Sequence, residues 1–161
     1  YPALFAGLAL SMTPCCCDIG HRISNFWLQM KLFNLTKNIV VVEKLEIAEN
    51  CLQRMKGLLG RECIDENEGL IIENCRCIHT FFMRFPIDVA FLRTEHITGL
   101  EQHTEQTTDK TIYKVVKVLY NIKPWRVSPL IWVADSVLEL KAGSTTKNII
   151  SIGDELMRVL L

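Results

Sequence analysis

The fold of this chain is most constrained by a series of short apolar segments with strand periodicity, interrupted by only one helical pattern. Residues 39–47 (IVVVEKLEI) are rich in β-branched side chains, and residues 112–119 alternate between two sets of side chains. Both patterns are typical of strands. Because the repeated crossover helices of a parallel α/β sheet are missing, the sequence predicts a mainly-β fold, a sandwich or small barrel. Further strand candidates cover residues 70–73, 75–83, 87–92, 131–134, 136–140 and 155–161.

The single predicted helix begins after Asn50, whose side chain can cap it together with Gln53 three residues later. Apolar residues then recur at helical spacing as far as Leu59, and Gly60 supplies a stop. The helix should therefore be short, about ten residues. Gly57 inside it would lower helix propensity, which indicates a close approach of the helix to a sheet.

The chain of 161 residues fits one domain. Residues 30–161 are predicted to form a single β-sandwich domain, because the patterned sequence begins directly after Met30. We interpret residues 1–29 as upstream translated sequence, with the remnant of an export signal ending near Cys15 and a structured N-terminal helix as alternatives. A cytoplasmic protein is expected, or an exported one if residues 1–29 are a signal remnant. The polar stretch 93–111 reads as a long exposed hairpin loop or insert.

The charge and cysteine content exclude some classes of protein. Lys plus Arg and Asp plus Glu are 18 each, without a basic run, so nucleic acid is not an expected partner. The apolar stretch 1–12 is too short to span a bilayer. Seven cysteines without regular spacing argue against a disulfide framework and for a reducing compartment. The cysteines of the main domain are interpreted as small apolar core residues.

Two thiols and an imidazole alternate in residues 75–83. If this segment is one strand, Cys75, Cys77 and His79 share a face, at about 7 Å per two-residue step. Three zinc ligands would need to converge more closely, and a Cys–His nucleophilic pair would need the strand to bend. Buried thiols beside a hydrogen-bonded histidine are therefore the preferred interpretation, ahead of a metal site and a nucleophilic pair in that order.

Two carboxylates lie in apolar strands, where an ionised group is costly unless it is paired or hydrogen-bonded. Asp88 follows Pro86 and Ile87, and we predict that a buried positive or hydrogen-bond-donor partner holds it. The candidates are Arg61, Arg84 and His79, with Arg61 or His79 preferred. Glu139 lies between two leucines, so its carboxylate also needs an ionic or hydrogen-bond partner. Structural ion pairs are the common explanation for such groups. Convergence with His79 at a cavity mouth would instead make a polar ligand site.

Six segments of the chain, in order, resemble one protein family. They are RMKGLLGR (54–61), GLII (69–72), IHTFFMRFPIDVAFL (78–92), KPWR (123–126), SVLELKAG (136–143) and GD (153–154). The chain is thereby identified as similar to domain-of-unknown-function family 192, a group of uncharacterised bacterial and archaeal proteins. The resemblance covers residues 31–161 and implies a β-sandwich of jelly-roll type with one helix and no established activity. The insert 93–111, Cys77 in place of a Ser or another small residue, and residues 1–29 depart from the family pattern.

The sequence thus favours a non-catalytic binding domain for a polar small molecule or a peptide or protein partner, with no cofactor and no metal. Trp125, in a Pro-bounded loop, could line a pocket or pack as a lid. The alternative is a thiol- or metal-dependent enzyme centred on Cys75, Cys77 and His79, and the third hypothesis is a structural subunit without a pocket. The predicted ligand-binding set is Arg61, His79, Met83, Asp88, Trp125 and Glu139. In it, Arg61 would supply a fixed fork for an anionic group, and Asp88 or Glu139 would orient that fork or accept a hydrogen bond.

Overall fold

A computed structural model describes residues 30–97, 110–144 and 149–160 of the chain. The predictions for residues 1–29 lie outside this range. Within the described residues, no helix is long and apolar enough to cross a membrane. The elements are β1 (Met30–Asn34), β2 (Ile39–Ala48), α1 (Cys51–Lys56), β3 (Glu68–Glu73), β4 (Ile87–Ile97), β5 (Lys110–Ile122), β6 (Ser136–Lys141) and β7 (Glu155–Leu160).

The seven strands form one closed barrel in the order β1-β2-β3-β6-β4-β5-β7. Strands β2 and β3 run parallel, and every other neighbouring pair is antiparallel. The first and last of these strands pair from Met30↔Leu160 to Asn34↔Leu156, which closes the sheet on itself. The prediction of a mainly-β fold with one short helix is confirmed. The sheet is a barrel, and a jelly-roll sandwich of two facing sheets is not evident in it.

Two apolar layers lie on opposite sides of the sheet. The first fills the barrel interior, and all seven strands contribute to it. The second covers the outer face of β3, β6 and β4, where it is shielded by the residues around α1 and by two loops. Interior residues include Leu32, Val42, Ile71, Leu92, Tyr113, Leu138 and Leu156. Outer-face residues include Leu58, Leu70, Ile72, Ile78, Met83, Val89, Phe91 and Val137.

The helix is shorter than predicted. Its start has the expected capping box, in which Asn50 accepts from the Gln53 amide and the Gln53 side chain accepts from the Asn50 amide. The helix ends at Lys56, because Gly57 takes a positive φ of 45° that glycine tolerates far better than other residues. Gly57 is therefore the C-cap and not an interior residue.

The segment predicted as a strand over residues 75–83 is irregular, and so are residues 131–134. Residues 75–86, between β3 and β4, instead lie beside residues 123–134, between β5 and β6. Hydrogen bonds link them from Ile131 N to Arg76 O (2.9 Å) as far as Thr80 N to Arg126 O (2.8 Å). Only His79 and Val127 form an isolated β-bridge. We call these two paired segments the loop ribbon.

The predicted hairpin insert 93–111 is strand at both ends. Strands β4 and β5 stay paired from Arg93↔Lys114 to Ile97↔Lys110, beyond the region where apolar alternation is visible in the sequence. Residues 98–109 lie outside the described range. The insert thus lengthens one hairpin of the barrel.

Candidate functional site

Glu139 lies in the middle of β6, on the outer face of the barrel. It is opposite Leu70 on β3 and Val89 on β4, and both of those side chains belong to the outer apolar layer. The residue is 4 % exposed. Oxygen Oε2 accepts no hydrogen bond from the residues that the structure describes. A buried polar atom without a partner costs roughly 1–3 kcal/mol, so this carboxylate is unusual.

The surroundings of Glu139 change its protonation. Burial raises the pKa of the carboxyl from 4.5 to about 7, against the opposing effect of the Arg61 guanidinium. Desolvation disfavours the charged form, and a nearby positive charge favours it. Glu139 is therefore divided between its acid and its carboxylate near neutral pH. It can accept a hydrogen bond in one form and donate one in the other.

A cavity of about 80 Å³ lies in front of this carboxyl group. Its walls come from α1 and the residues that follow it, from β3 and from the first segment of the loop ribbon. They include Gly57, Cys75, Cys77, His79 and Met83 as well as Glu139. A Cβ at position 57 would lie 3.7 Å from Glu139 Oε2, so the glycine leaves the approach to this oxygen open.

Arg61 lies close enough to influence Glu139, but its guanidinium is already engaged. Nη2 of Arg61 donates to Glu46 Oε2 at 2.6 Å, in a pair that is partly exposed. The predicted role of Arg61 as a free fork for an anionic group has no support in this arrangement. Its effect on Glu139 is electrostatic, because the guanidinium holds the pKa of Glu139 below the value that burial alone would give.

Asp88 lies on the other side of the sheet from Glu139. It is opposite Leu140, an interior residue, and is fully buried. Its Oδ1 accepts from the Asn121 amide (2.8 Å) and its Oδ2 from the Gly143 amide (2.9 Å). These backbone donors replace the Arg61 or His79 partner that the sequence predicted. Asp88 therefore joins the end of β5 to the turn after β6 and does not reach the cavity.

His79 and Trp125 belong to a row of aromatic side chains on the loop ribbon. The exposed His79 ring lines the cavity and stacks on Phe81 with centroids 5.4 Å apart. Trp125 follows at 6.0 Å from Phe81 and 4.7 Å from Phe82. Trp125 is 56 % exposed, so it does not pack as a lid over the core. Of the predicted set, the structure brings Glu139, His79 and Met83 to one cavity, with Trp125 beside it.

Cys75 and Cys77 also line the cavity, as free thiols. The Cys75 thiol donates to the Cys77 carbonyl oxygen at 3.0 Å, and burial raises the pKa of the Cys75 thiol. Among the described residues, no three His, Cys, Asp or Glu side chains are grouped as a metal site would need. Cys63 is disulfide-bonded, Cys75 is half-buried and Cys77 is exposed. The interpretation of the domain cysteines as small apolar core residues is therefore wrong for these three.

Two features are not predicted from the sequence, namely the role of Gly57 in the cavity wall and the exposed aromatic side chains of the loop ribbon. The sequence predicts Gly57 as a helix residue near a sheet, whereas the helix ends at Lys56 and Gly57 follows it as the C-cap, beside Glu139. The exposed Phe81, Phe82 and Trp132 were assigned to strands. The signal that could have found them is the absence of Asp and Glu from both segments of the loop ribbon, which is unusual for an exposed surface.

Two solved structures with a similar fold align with most of the chain. A protein of unknown function from Novosphingobium aromaticivorans DSM 12444 aligns with a TM-score of 0.58 at 20% identity, covering 84% of this chain and 89% of that chain. A protein from Sinorhizobium meliloti 1021, described as a proposed transcription regulator, aligns with a TM-score of 0.54 at 19% identity, covering 79% and 89%. At such identities the likeness shows the fold alone. A search of curated proteins finds no match.

The sequence profile of one family matches the chain over residues 33–157, which include all of the strands apart from the outer ends of β1 and β7. Its description is uncharacterised ACR, with the family name DUF192. The match contains every motif on which the sequence resemblance depends, together with Glu139 and the loop ribbon. The chain therefore belongs to the DUF192 family.

Proposed function

We propose that this domain is a binding module that receives a small polar group in the cavity in front of Glu139. The observation that carries the proposal is the buried Oε2 atom, which has no hydrogen-bond partner among the described residues and borders a cavity. A ligand hydroxyl or amine would supply the missing hydrogen bond. A buried carboxyl group that gains such a partner is stabilised, and that gain is available only to the bound state.

The size of the cavity limits what can enter. A volume of about 80 Å³ exceeds the ~10–15 Å³ that one water needs and is about half of a ~150 Å³ cavity that holds benzene. The entering group is therefore the end of a ligand, such as an aminomethyl or hydroxymethyl group, and not a whole nucleotide or sugar. The rest of the ligand would lie outside, against the exposed His79, so a peptide side chain or a small molecule could both present such a group.

The chemistry of the thiols favours binding over a thiol enzyme. A nucleophilic cysteine needs a lowered pKa and an adjacent base, whereas burial raises the pKa of Cys75. The Cys75 thiol donates to the Cys77 carbonyl oxygen, and the His79 ring stacks on Phe81. Neither of these contacts pairs the thiol with the imidazole. We assign the cysteines to the cavity wall.

The equal numbers of acidic and basic residues support a small-molecule or protein partner over nucleic acid, despite the description of the Sinorhizobium meliloti protein. The disulfide bond at Cys63 favours the exported alternative over the cytoplasm, because disulfides persist mainly in oxidising compartments.

The test is a thermal-shift comparison of the wild-type protein and Glu139→Gln with ethanolamine, ethylamine, ethanol and short lysine- or serine-containing peptides. A ligand that binds only the native state raises the melting temperature. We expect at least one probe to stabilise the wild-type protein and to lose most of that effect in Glu139→Gln. The matched control is Glu95→Gln, an exposed glutamate on β4. Equal shifts in all three proteins, or no shift with any probe, would contradict the proposal.

A further inference from the structure

The loop ribbon exposes large apolar side chains well beyond what an ordinary surface shows. Phe82 is 71 % exposed and Trp132 is 72 % exposed, and Trp125 adds a third bulky ring. Phe82 and Trp132 lie on turns at residues 81–82 and 132–133, so they project from the ribbon. Val127, Leu130 and Val133 of the second segment are exposed as well. Large apolar side chains exposed together on two hydrogen-bonded segments are typical of an interaction site.

The charges of the loop ribbon have one sign. Residues 75–86 and 123–134 contain no Asp or Glu, and their charged residues are Arg76, Arg84, Lys123 and Arg126. All four are exposed. Arg84 has a long contact of 3.5 Å with Glu62, and both side chains are mostly in solvent, so its charge remains largely available. The chain as a whole is electrically balanced, so the ribbon is a local basic region on a neutral protein.

Two of the bulky residues are held in an unusual backbone conformation. Phe82 and Trp125 both have a φ of 62°, in the left-handed region that bulky side chains rarely adopt. Their rings meet edge to face at 4.7 Å. The Thr80 carbonyl oxygen accepts from Trp125 N (2.9 Å) and from Met83 N (3.3 Å), which joins the two segments that carry these rings. Such conformations cost of order 1–3 kcal/mol and persist where the surrounding structure enforces them.

We propose that the loop ribbon docks on the surface of an anionic lipid bilayer. Tryptophan and phenylalanine on projecting turns can enter the headgroup region, where amphipathic rings are favoured, while flanking Arg and Lys side chains reach the lipid phosphates. Basic residues near an anionic leaflet are attracted to it, and the attraction falls within a Debye length. An acidic protein would satisfy the same charges, but rings that are more than two-thirds exposed on turns, such as Phe82 and Trp132, suit a deformable interface better than a preformed pocket.

This inference is independent of the ligand proposed for Glu139. The rings and basic side chains that carry it point to the surface, whereas Glu139 is buried behind the first segment of the ribbon. A protein that fails to bind amines could still bind vesicles, and the reverse also holds. Docking would place the mouth of the cavity, at His79, close to the lipid surface.

The experiment is co-sedimentation of the full chain with vesicles of equal parts phosphatidylglycerol and phosphatidylcholine, compared with vesicles of phosphatidylcholine alone. We expect binding to the anionic vesicles at low salt, a blue shift of tryptophan fluorescence, and loss of binding at high salt. Arg126→Glu should weaken binding at least about tenfold, and Trp132→Ser should remove much of the blue shift. Both side chains are exposed, so the fold should be retained.

Two control variants match these changes away from the ribbon. Ile152→Ser removes an exposed apolar side chain (65 % exposed) from the turn before β7, and Lys117→Glu reverses an exposed charge on β5. Both should bind vesicles as the wild-type protein does. The proposal is overturned if no anionic vesicle is bound, if neutral vesicles are bound equally well, or if controls and ribbon variants behave alike. Binding to a poly-glutamate resin without vesicle binding would identify an acidic polypeptide as the occupant instead.

Discussion

Asp88 and Glu139 are buried carboxylates on adjacent strands of one barrel, and they differ in their hydrogen bonding. Asp88 faces the interior and accepts from two backbone amides. Glu139 faces the outer layer, where oxygen Oε2 has no described donor and a cavity adjoins it. Burial is the same for both residues, so burial alone does not mark a site. The difference lies in whether the fold itself supplies the hydrogen-bond partners.

A satisfied carboxylate contributes to stability, and an unsatisfied one lowers it until a ligand arrives. Asp88 connects two segments that no continuous strand joins, namely the end of β5 and the turn after β6. Glu139 connects nothing that the structure describes through Oε2. Retaining such a group in an apolar layer has a free-energy cost of a few kcal/mol. We therefore expect the two residues to respond in opposite directions to substitution.

The largest effect is expected for Asp88→Ala. The change leaves the Asn121 and Gly143 amides without their acceptor, and hydrogen bonds to charged groups contribute about 1.5–3 kcal/mol each. The free energy of unfolding should therefore fall by roughly 3–5 kcal/mol. Urea denaturation at neutral pH measures it. Asp88→Asn is the matched control, since it keeps one oxygen acceptor and should lose less. A loss below about 1 kcal/mol for Asp88→Ala would remove the distinction between the two carboxylates.

The second effect is a gain in stability for Glu139→Gln at alkaline pH. The folded-state pKa of about 7 lies above the ordinary 4.5, so the native state holds a proton that the unfolded chain has lost. Wild-type stability should fall as pH rises from about 4.5 to about 7 and stay lowered above that range. The total is on the order of 3 kcal/mol.

Glu139→Gln has no carboxyl to titrate at this position, so its stability relative to the wild-type protein should rise by that amount between pH 4 and pH 8. Chemical denaturation across this range measures the difference, and Glu95→Gln should follow the wild-type curve. Parallel curves for wild type and Glu139→Gln would show that the carboxyl group is not buried in solution.

The smallest effect on stability is expected for Arg61→Ala. Its ion pair with Glu46 is partly exposed, so its loss should cost no more than about 1 kcal/mol. The informative readout is the titration of Glu139, followed by carboxyl-carbon NMR. Removal of the guanidinium should raise the pKa of Glu139 further, whereas Arg61→Lys should largely preserve it. An unchanged pKa in Arg61→Ala would mean that the two side chains do not interact.

The sequence predicts correctly those elements whose pattern is contained in a short stretch of neighbouring residues. The β-branched run of β2, the alternation of β5 and the capping box of α1 are all visible within about ten residues of sequence. Glu139 could also be selected, because an ionisable residue between two leucines in a strand is chemically conspicuous. These predictions needed no knowledge of which strands are neighbours.

The predictions that failed depend on long-range pairing. Residues 75–83 have the apolar content of a strand, yet their hydrogen bonds go to the loop after β5, and no local signal reveals this. Barrel closure depends on the pairing of β1 with β7. The separation of Asp88 from Glu139 follows from the register Asp88↔Leu140, since a one-residue shift would bring both to the same face.

The pairing of β1 with β7 has a consequence for synthesis of the chain. Strand β1 emerges from the ribosome first, but its partner at residues 155–160 emerges more than a hundred residues later. At about 5–20 residues per second, one edge of β1 waits on the order of ten seconds for its neighbour. During that interval its amide and carbonyl groups are open to another nascent chain. Slow translation or crowded polysomes should therefore increase aggregation of this protein before they affect its folded stability.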